Sequence, residues 1–186
     1  MGGNFYGGYI AHGMDYLKIC LGHIADLADR QLMLLIDDRY NNGLPATLVA
    51  PRAEEDAFLH HGLKGLNQSA SALASEILAR AVPNGIFSRS SEAHNQDKVS
   101  LGMSAAVQMQ DTLPSAFNLM AMHLIALAQA LDLRGRKLVG AESKALYALI
   151  RRHAPFVEED QPLDNAIMSL SRELQARSLE KSGGMG

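Results

Sequence analysis

Residues 10–36, IAHGMDYLKICLGHIADLADRQLMLLI, decide the fold class. Ile10, Met14, Leu17, Leu21, Ile24 and Ala28 recur at alternating spacings of four and three, the repeat of one face of an α-helix. The run closes on Leu32-Met33-Leu34-Leu35-Ile36, which is apolar on every side, so several neighbouring helices are expected to bury it. The pattern stops near Asp38. Asn41-Asn42-Gly43-Leu44-Pro45 is dense in turn formers and opens an irregular stretch to about Arg52.

Outward from this helix the same periodicity returns. Phe58, Leu66, Ala70, Leu73 and Ile77 predict a second helix over about residues 54–81, stopped by Pro83-Asn84-Gly85. Leu101, Ala105, Met109, Leu113, Phe117, Met120, Leu124, Leu127 and Leu131 predict a third over residues 99–133. Pro114 should bend it or divide it into two abutting helices, because proline removes a backbone hydrogen bond. Shorter helices are expected near residues 142–153 and 164–179. No strand-like alternation competes with them. The expected class is therefore all-α, a long-helix bundle, with residues 1–181 as one domain and 182–186 as a flexible tail. The long helices carry more apolar surface than five helices can cover by themselves, so partners are expected.

Composition narrows the function. Of the 186 residues, 47% are hydrophobic, 20% charged and only 5% aromatic, a palette of Leu, Ala, Ile and Met that favours helices. A net charge of −3 with scattered basic residues gives no surface for a polyanion, so no nucleic acid is expected as a partner. The lone Cys20 makes no internal disulfide, which suits a reducing cytoplasm. No apolar run approaches the roughly 20 residues needed to cross a bilayer, and no basic-then-apolar leader opens the sequence, so no membrane association and a cytoplasmic location are expected. His60-His61 lacks any HExxH, cysteine pair or carboxylate cluster at ligand spacing, and no metal site is expected. The glycine segment has neither GxGxxG spacing nor a preceding strand, which excludes a dinucleotide loop.

Two polar segments, Gly2-Gly3-Asn4-Phe5-Tyr6-Gly7-Gly8 and His94-Asn95-Gln96-Asp97-Lys98, each stand just before a long helix. Helix amino termini offer unpaired N–H groups and partial positive charge, suited to an anion or a developing oxyanion. A site between them is physically sensible. The pattern also allows the glycines to be only a flexible start and Asp97 a plain cap of the third helix.

The blocks Gly3-Asn4-Phe5-Tyr6-Gly7, Leu27-Ala28-Asp29-Arg30-Gln31, Asn42-Gly43-Leu44-Pro45, Asn95-Gln96-Asp97 with Val99-Ser100-Leu101-Gly102, and Ala128-Gln129-Ala130 occur in this order. On them the sequence resembles the histidine, phenylalanine and tyrosine ammonia-lyase family, from residue 2 to about 167. It looks like the carboxyl-terminal half of the bacterial tyrosine and phenylalanine enzymes, and tyrosine aminomutases are also similar.

The resemblance implies several things. Family members are longer, and their amino-terminal half carries an Ala-Ser-Gly that cyclises to 4-methylidene-imidazole-5-one (MIO); no Ala-Ser-Gly occurs in this sequence. The family's tyrosine base and carboxylate-binding arginine also lie in that half. This chain alone is therefore expected to be inactive, being either a piece of a longer polypeptide or the small chain of a two-piece enzyme. Phe5 aligns with the phenylalanine beside MIO and substrate. Gln96 aligns with a position that is glutamate in histidases and glutamine in the phenylalanine and tyrosine enzymes, which argues against histidine as substrate because a neutral amide adds no buried charge. Phe5 and Gln96 are the expected catalytic residues, Asn95 and Asn4 the substrate-binding ones, with Asn95 reaching the distal end of the ring and Asn4 and Asp97 mainly supporting and capping. The implied partners are an aromatic amino acid, the MIO-bearing half or companion subunit, and further copies in a tetrameric assembly. Lys98 departs from the smaller or uncharged residue usual in relatives, and residues 50–63 form a longer, more charged loop.

Overall fold

The structure is a computed structural model and describes residues 5–53, 56, 59–135 and 140–183, with side chains described to Ser178. Its α-helices are α1 (Gly8–Ile36), α2 (Lys64–Ala79), α3 (Gly102–Leu133), α4 (Ala141–His153) and α5 (Asp164–Gly183), with short 3-10 turns at Ala46–Leu48 and Asn84–Phe87. The class is all-α, as the periodicity predicts. The expected tail at 182–186 falls partly on the end of α5 and otherwise outside the described residues.

α3 is the central helix, packed against α1, α2, α4 and α5, while α1 also packs along α2. In its second half Leu119, Ala121, Met122, Ile125, Ala126, Ala128 and Ala130 are all buried, and an 18-residue window has a mean hydropathy of 1.4. By length and composition it is apolar enough to cross a membrane, against the expectation from the sequence, yet half of that window is buried inside the protein. α3 runs unbroken through Pro114. The proline and Gln110, whose carbonyl it leaves without a helical donor, are both exposed, so water can meet that carbonyl.

Two sequence expectations need correction. The second helix is not continuous from 54: Asp56 is helical, residues 59–63 are turn and loop, the long helix begins at Lys64, and the predicted face residue Phe58 lies outside the described residues. The cause is tertiary: Gly62 sits at φ 51, a Cβ there would stand 2.7 Å from the Thr47 carbonyl oxygen, and the Leu63 amide donates to that same oxygen at 2.8 Å. The apolar stripe of α1 also does not simply face the core. Ala11, Gly22, Ala25, Ala28 and Leu32 are buried together with Asp15, Lys18 and Asp29, whereas Ile10, Leu17, Ile24, Leu27 and Leu34 are exposed. Small side chains let the end of α2 approach closely: a Cβ on Gly22 would meet the Leu78 Cδ2 at 3.5 Å and the Cβ of Ala81, just past that helix, at 3.2 Å.

Buried polar groups join the layers. Gln129, fully buried, donates from Nε2 to the carbonyls of Leu48 (3.3 Å) and Val157 (2.9 Å) and accepts the Val157 amide at 3.0 Å. His123 donates from Nδ1 to the Ala28 carbonyl at 3.0 Å, tying α3 to α1, and burial holds its imidazole below its ordinary pKa.

Candidate functional site

The site lies where the amino ends of α1 and α3 meet. Gly7 caps α1 at φ 68, a left-handed conformation that glycine enters without steric cost. A Cβ on Gly8 would fall 2.7 Å from two Tyr6 ring carbons, so the second glycine lets that ring fold back over the helix start. Just ahead, the Phe5 side chain projects almost fully, 91% exposed.

Facing it is the loop of residues 88–101. Its base is closed by the Ser88 hydroxyl, which donates to the Val99 carbonyl at 2.5 Å. Ser91 and Gln96 then form an isolated antiparallel bridge, with N–H···O distances of 3.0 and 3.3 Å. Between them Glu92, Ala93 and His94 all have positive φ, at 52°, 51° and 68°. Three consecutive left-handed residues with side chains cost about 1–2 kcal/mol each, and backbone strain of this kind gathers at functional sites. Local bonds hold them: the Asn95 amide donates to the Glu92 carbonyl at 3.0 Å, Asn95 Nδ2 donates to Glu92 Oε2 at 3.1 Å, and the Ser90 hydroxyl lies 2.9 Å from His94 Nδ1. A further left-handed residue, Leu101 at φ 56, turns the chain into α3.

Phe5, Asn95 and Gln96 line one cavity of about 910 Å³, together with Glu92, Lys98 and the first residues of α3. Asn4 lies outside the described residues. Asp97 lines the cavity too, but it does not cap α3: the capping position is Leu101 and no side chain bonds there. The extra residues between Asp97 and the helix are spent on reversing the chain. With no acidic residue in the first turn of α3, its partial positive charge is left for whatever enters the cavity.

Glu92 was not among the sequence candidates. A left-handed turn is not legible in residue types, although a carboxylate three residues ahead of Asn95 is a signal that the loop could fold back on itself. Because a carboxylate only accepts, Asn95 must present its NH₂ to Glu92, which leaves Asn95 Oδ1 as an acceptor for a ligand. The arrangement therefore offers an aromatic edge, a carboxamide from Gln96, an acceptor, a carboxylate and a helix amino end around one open space. That set suits a zwitterionic aromatic molecule. The open face leaves room for a group carried on another segment.

A family model described as aromatic amino acid lyase matches residues 1–152. Among curated relatives, a histidine ammonia-lyase of Treponema denticola is 34% identical, with 90% of this chain and 32% of the relative covered. A tyrosine ammonia-lyase of Cereibacter sphaeroides is 36% identical, with 95% of this chain and 34% of the relative covered. Among solved structures, a phenylalanine aminomutase of Pantoea agglomerans aligns with a TM-score of 0.85 at 32% identity, covering 91% of this chain and 32% of that one. The chain thus spans about a third of the length of the relatives it matches.

Proposed function

This chain belongs to the aromatic amino acid lyase family, and we propose from that premise that it is one part of an MIO-dependent ammonia-lyase that releases ammonia from tyrosine or phenylalanine to give coumarate or cinnamate. The observation that carries the reading is the single cavity shared by Phe5, Asn95 and Gln96 at the start of α3. MIO, formed from an Ala-Ser-Gly outside this sequence, supplies the electrophile for the substrate's amine. The residues here fit such a neighbour: Phe5 gives it an aromatic edge that does not compete as a nucleophile, and the open cavity face leaves space for its segment.

The chain's own groups bind and orient. Gln96 hydrogen-bonds at the reacting end without adding charge, and Asn95 Oδ1 accepts a phenolic O–H at the far end of the ring, where Glu92 fixes the Asn95 carboxamide through its Nδ2. Fixing these groups before substrate arrives lowers the barrier, because the weakly acidic β-proton leaves positioning and electrostatics to do most of the acceleration. Histidine is disfavoured by the neutral Gln96, even though histidine ammonia-lyases are prominent among the relatives. By itself the chain is inactive, since its sequence holds no Ala-Ser-Gly from which the electrophile could form.

The exposed apolar face of α1 supports association with the MIO-bearing segment, with further copies of the chain, or with both, as in a tetramer. The similarity to a phenylalanine aminomutase favours a second reading, in which the amine returns to the β-carbon. A non-catalytic assembly subunit is the third. One experiment separates them: the chain, combined with the MIO-bearing polypeptide, is incubated with tyrosine, phenylalanine and histidine, and products are identified by mass and chirality. Arylacrylate from the first two supports the lyase, β-amino acid the mutase. Turnover of histidine alone overturns the substrate assignment, and no product from any of the three leaves the assembly role.

A further inference from the structure

α1 places two oppositely charged residues, Asp15 and Lys18, on its buried face, only 4% and 3% exposed. Both are directed at one turn. The Asp15 carboxylate accepts the amides of Asn84 (2.7 Å) and Gly85 (2.9 Å), while the Lys18 ammonium donates to the Val82 carbonyl (2.7 Å) and to Asn84 Oδ1. Its third hydrogen bond, 2.7 Å to Gln108 Oε1, reaches α3. All three Lys18 bonds go to neutral oxygens, so the charge is buried without a directly bonded carboxylate, an expensive choice where the neighbouring buried positions Ala11, Gly22 and Ala25 are small or apolar. Burial accordingly pulls the Lys18 ammonium below its ordinary pKa, against the opposing pull of Asp15.

What this cost secures is the base of the loop of residues 88–101. The turn held by Asp15 and Lys18 runs directly into Ser88, where the loop closes on Val99. At the loop's other end Gly102 lies against Ala11 of α1: a Cβ there would meet the Ala11 Cα and Cβ at 3.2 Å. Ala11, Asp15 and Lys18, spaced four and three apart on one face of α1, thus hold both ends of the loop. The same helix begins three residues after Phe5. One rigid element therefore sets both walls of the cavity.

We propose that Lys18, with Asp15, is a positioning residue that fixes the loop of residues 88–101, and through it how Asn95 and Gln96 stand opposite Phe5; its catalytic consequence rests on the lyase reading above.

Two measurements test it. In the full chain, Lys18→Met keeps length but removes all three donors, and hydrogen exchange should become roughly tenfold faster or more across residues 88–101 while residues 119–130 of α3 keep their protection. Gln108→Leu, which removes one bond and leaves the fold intact, should move the same amides less. Unchanged loop exchange, or equal loss of protection throughout, overturns the proposal. In the complete enzyme, Lys18→Met should lower kcat by roughly ten- to a hundredfold with KM changed by less than about threefold, as expected when geometry and not binding is lost. An unchanged kcat, or a loss confined to KM, overturns it as well. If the wild-type complete enzyme makes no arylacrylate, the lyase reading falls, while loop exchange still decides whether the clamp exists.

Discussion

Gln96 is held by its main chain, through the bridge to Ser91, so its side chain is free to serve a ligand. Replacing it by alanine in the complete enzyme should leave folding intact and lower turnover by about one to three orders of magnitude, the range for losing one oriented donor. Unaltered turnover would remove Gln96 from the site. Gln96→Glu adds a carboxylate suited to an imidazole, and kcat/KM measured on histidine and tyrosine side by side should shift toward histidine. His123 poses a separate residue-scale question. Its buried imidazole has a pKa below the ordinary 6.5, so the folded state takes up its proton less readily than the unfolded chain does. The stability that follows is complete above the unfolded value and is lost as pH falls through it toward the depressed one. Urea midpoints at about pH 7.5 and pH 5.5 should therefore differ less in His123→Gln than in the wild type; an equal drop in both proteins would show that His123 does not carry that dependence.

At the scale of elements, ends and joints are set by contacts distant in sequence. α2 starts late because Gly62 must pass under Thr47 in a left-handed conformation, a site where any side chain is both strained and crowded. Gly62→Ala should cost more than about 1 kcal/mol by thermal or chemical denaturation, and a neutral result would mean that this loop repacks freely. Gln129 fastens α3 to two segments outside the α-helices by three hydrogen bonds in a fully buried position. Gln129→Leu keeps the volume but strands two carbonyls and an amide, for an expected loss of about 2–4 kcal/mol. The periodicity placed α1, α3, α4 and α5 within a few residues of their observed bounds, since repeats over several turns average out local exceptions. It missed the start of α2 and the true cap of α3, which depend on single backbone conformations.

The whole molecule presents on α1 a run of exposed apolar side chains, Tyr9, Ile10, Tyr16, Leu17, Ile24, Leu27 and Leu34. A face of this length left in water is unfavourable, and its burial is the main driving force for association. The chain should therefore self-associate in sedimentation experiments at micromolar concentration, and Leu17→Glu with Ile24→Glu should shift it to monomer without loss of helical circular dichroism. A wild-type chain that stays monomeric would show that this face does not pair with further copies of the chain.

Helical class, the number of long helices and the blocks that mark the family follow from the sequence by itself, because they rest on residue spacing and local order. Phe5, Asn95 and Gln96 were legible as candidates only through the resemblance to the family; spacing alone marked no more than the two polar segments that hold them. Only the tertiary structure decided that these three share a cavity, that Glu92 joins them through a left-handed turn, and that Asp15 and Lys18 brace the loop from a helix some seventy residues away. Which face of α1 is buried was decided there too: close helix packing selected the small and hydrogen-bonding side chains, and hydrophobic periodicity alone cannot tell a core face from a face awaiting a partner.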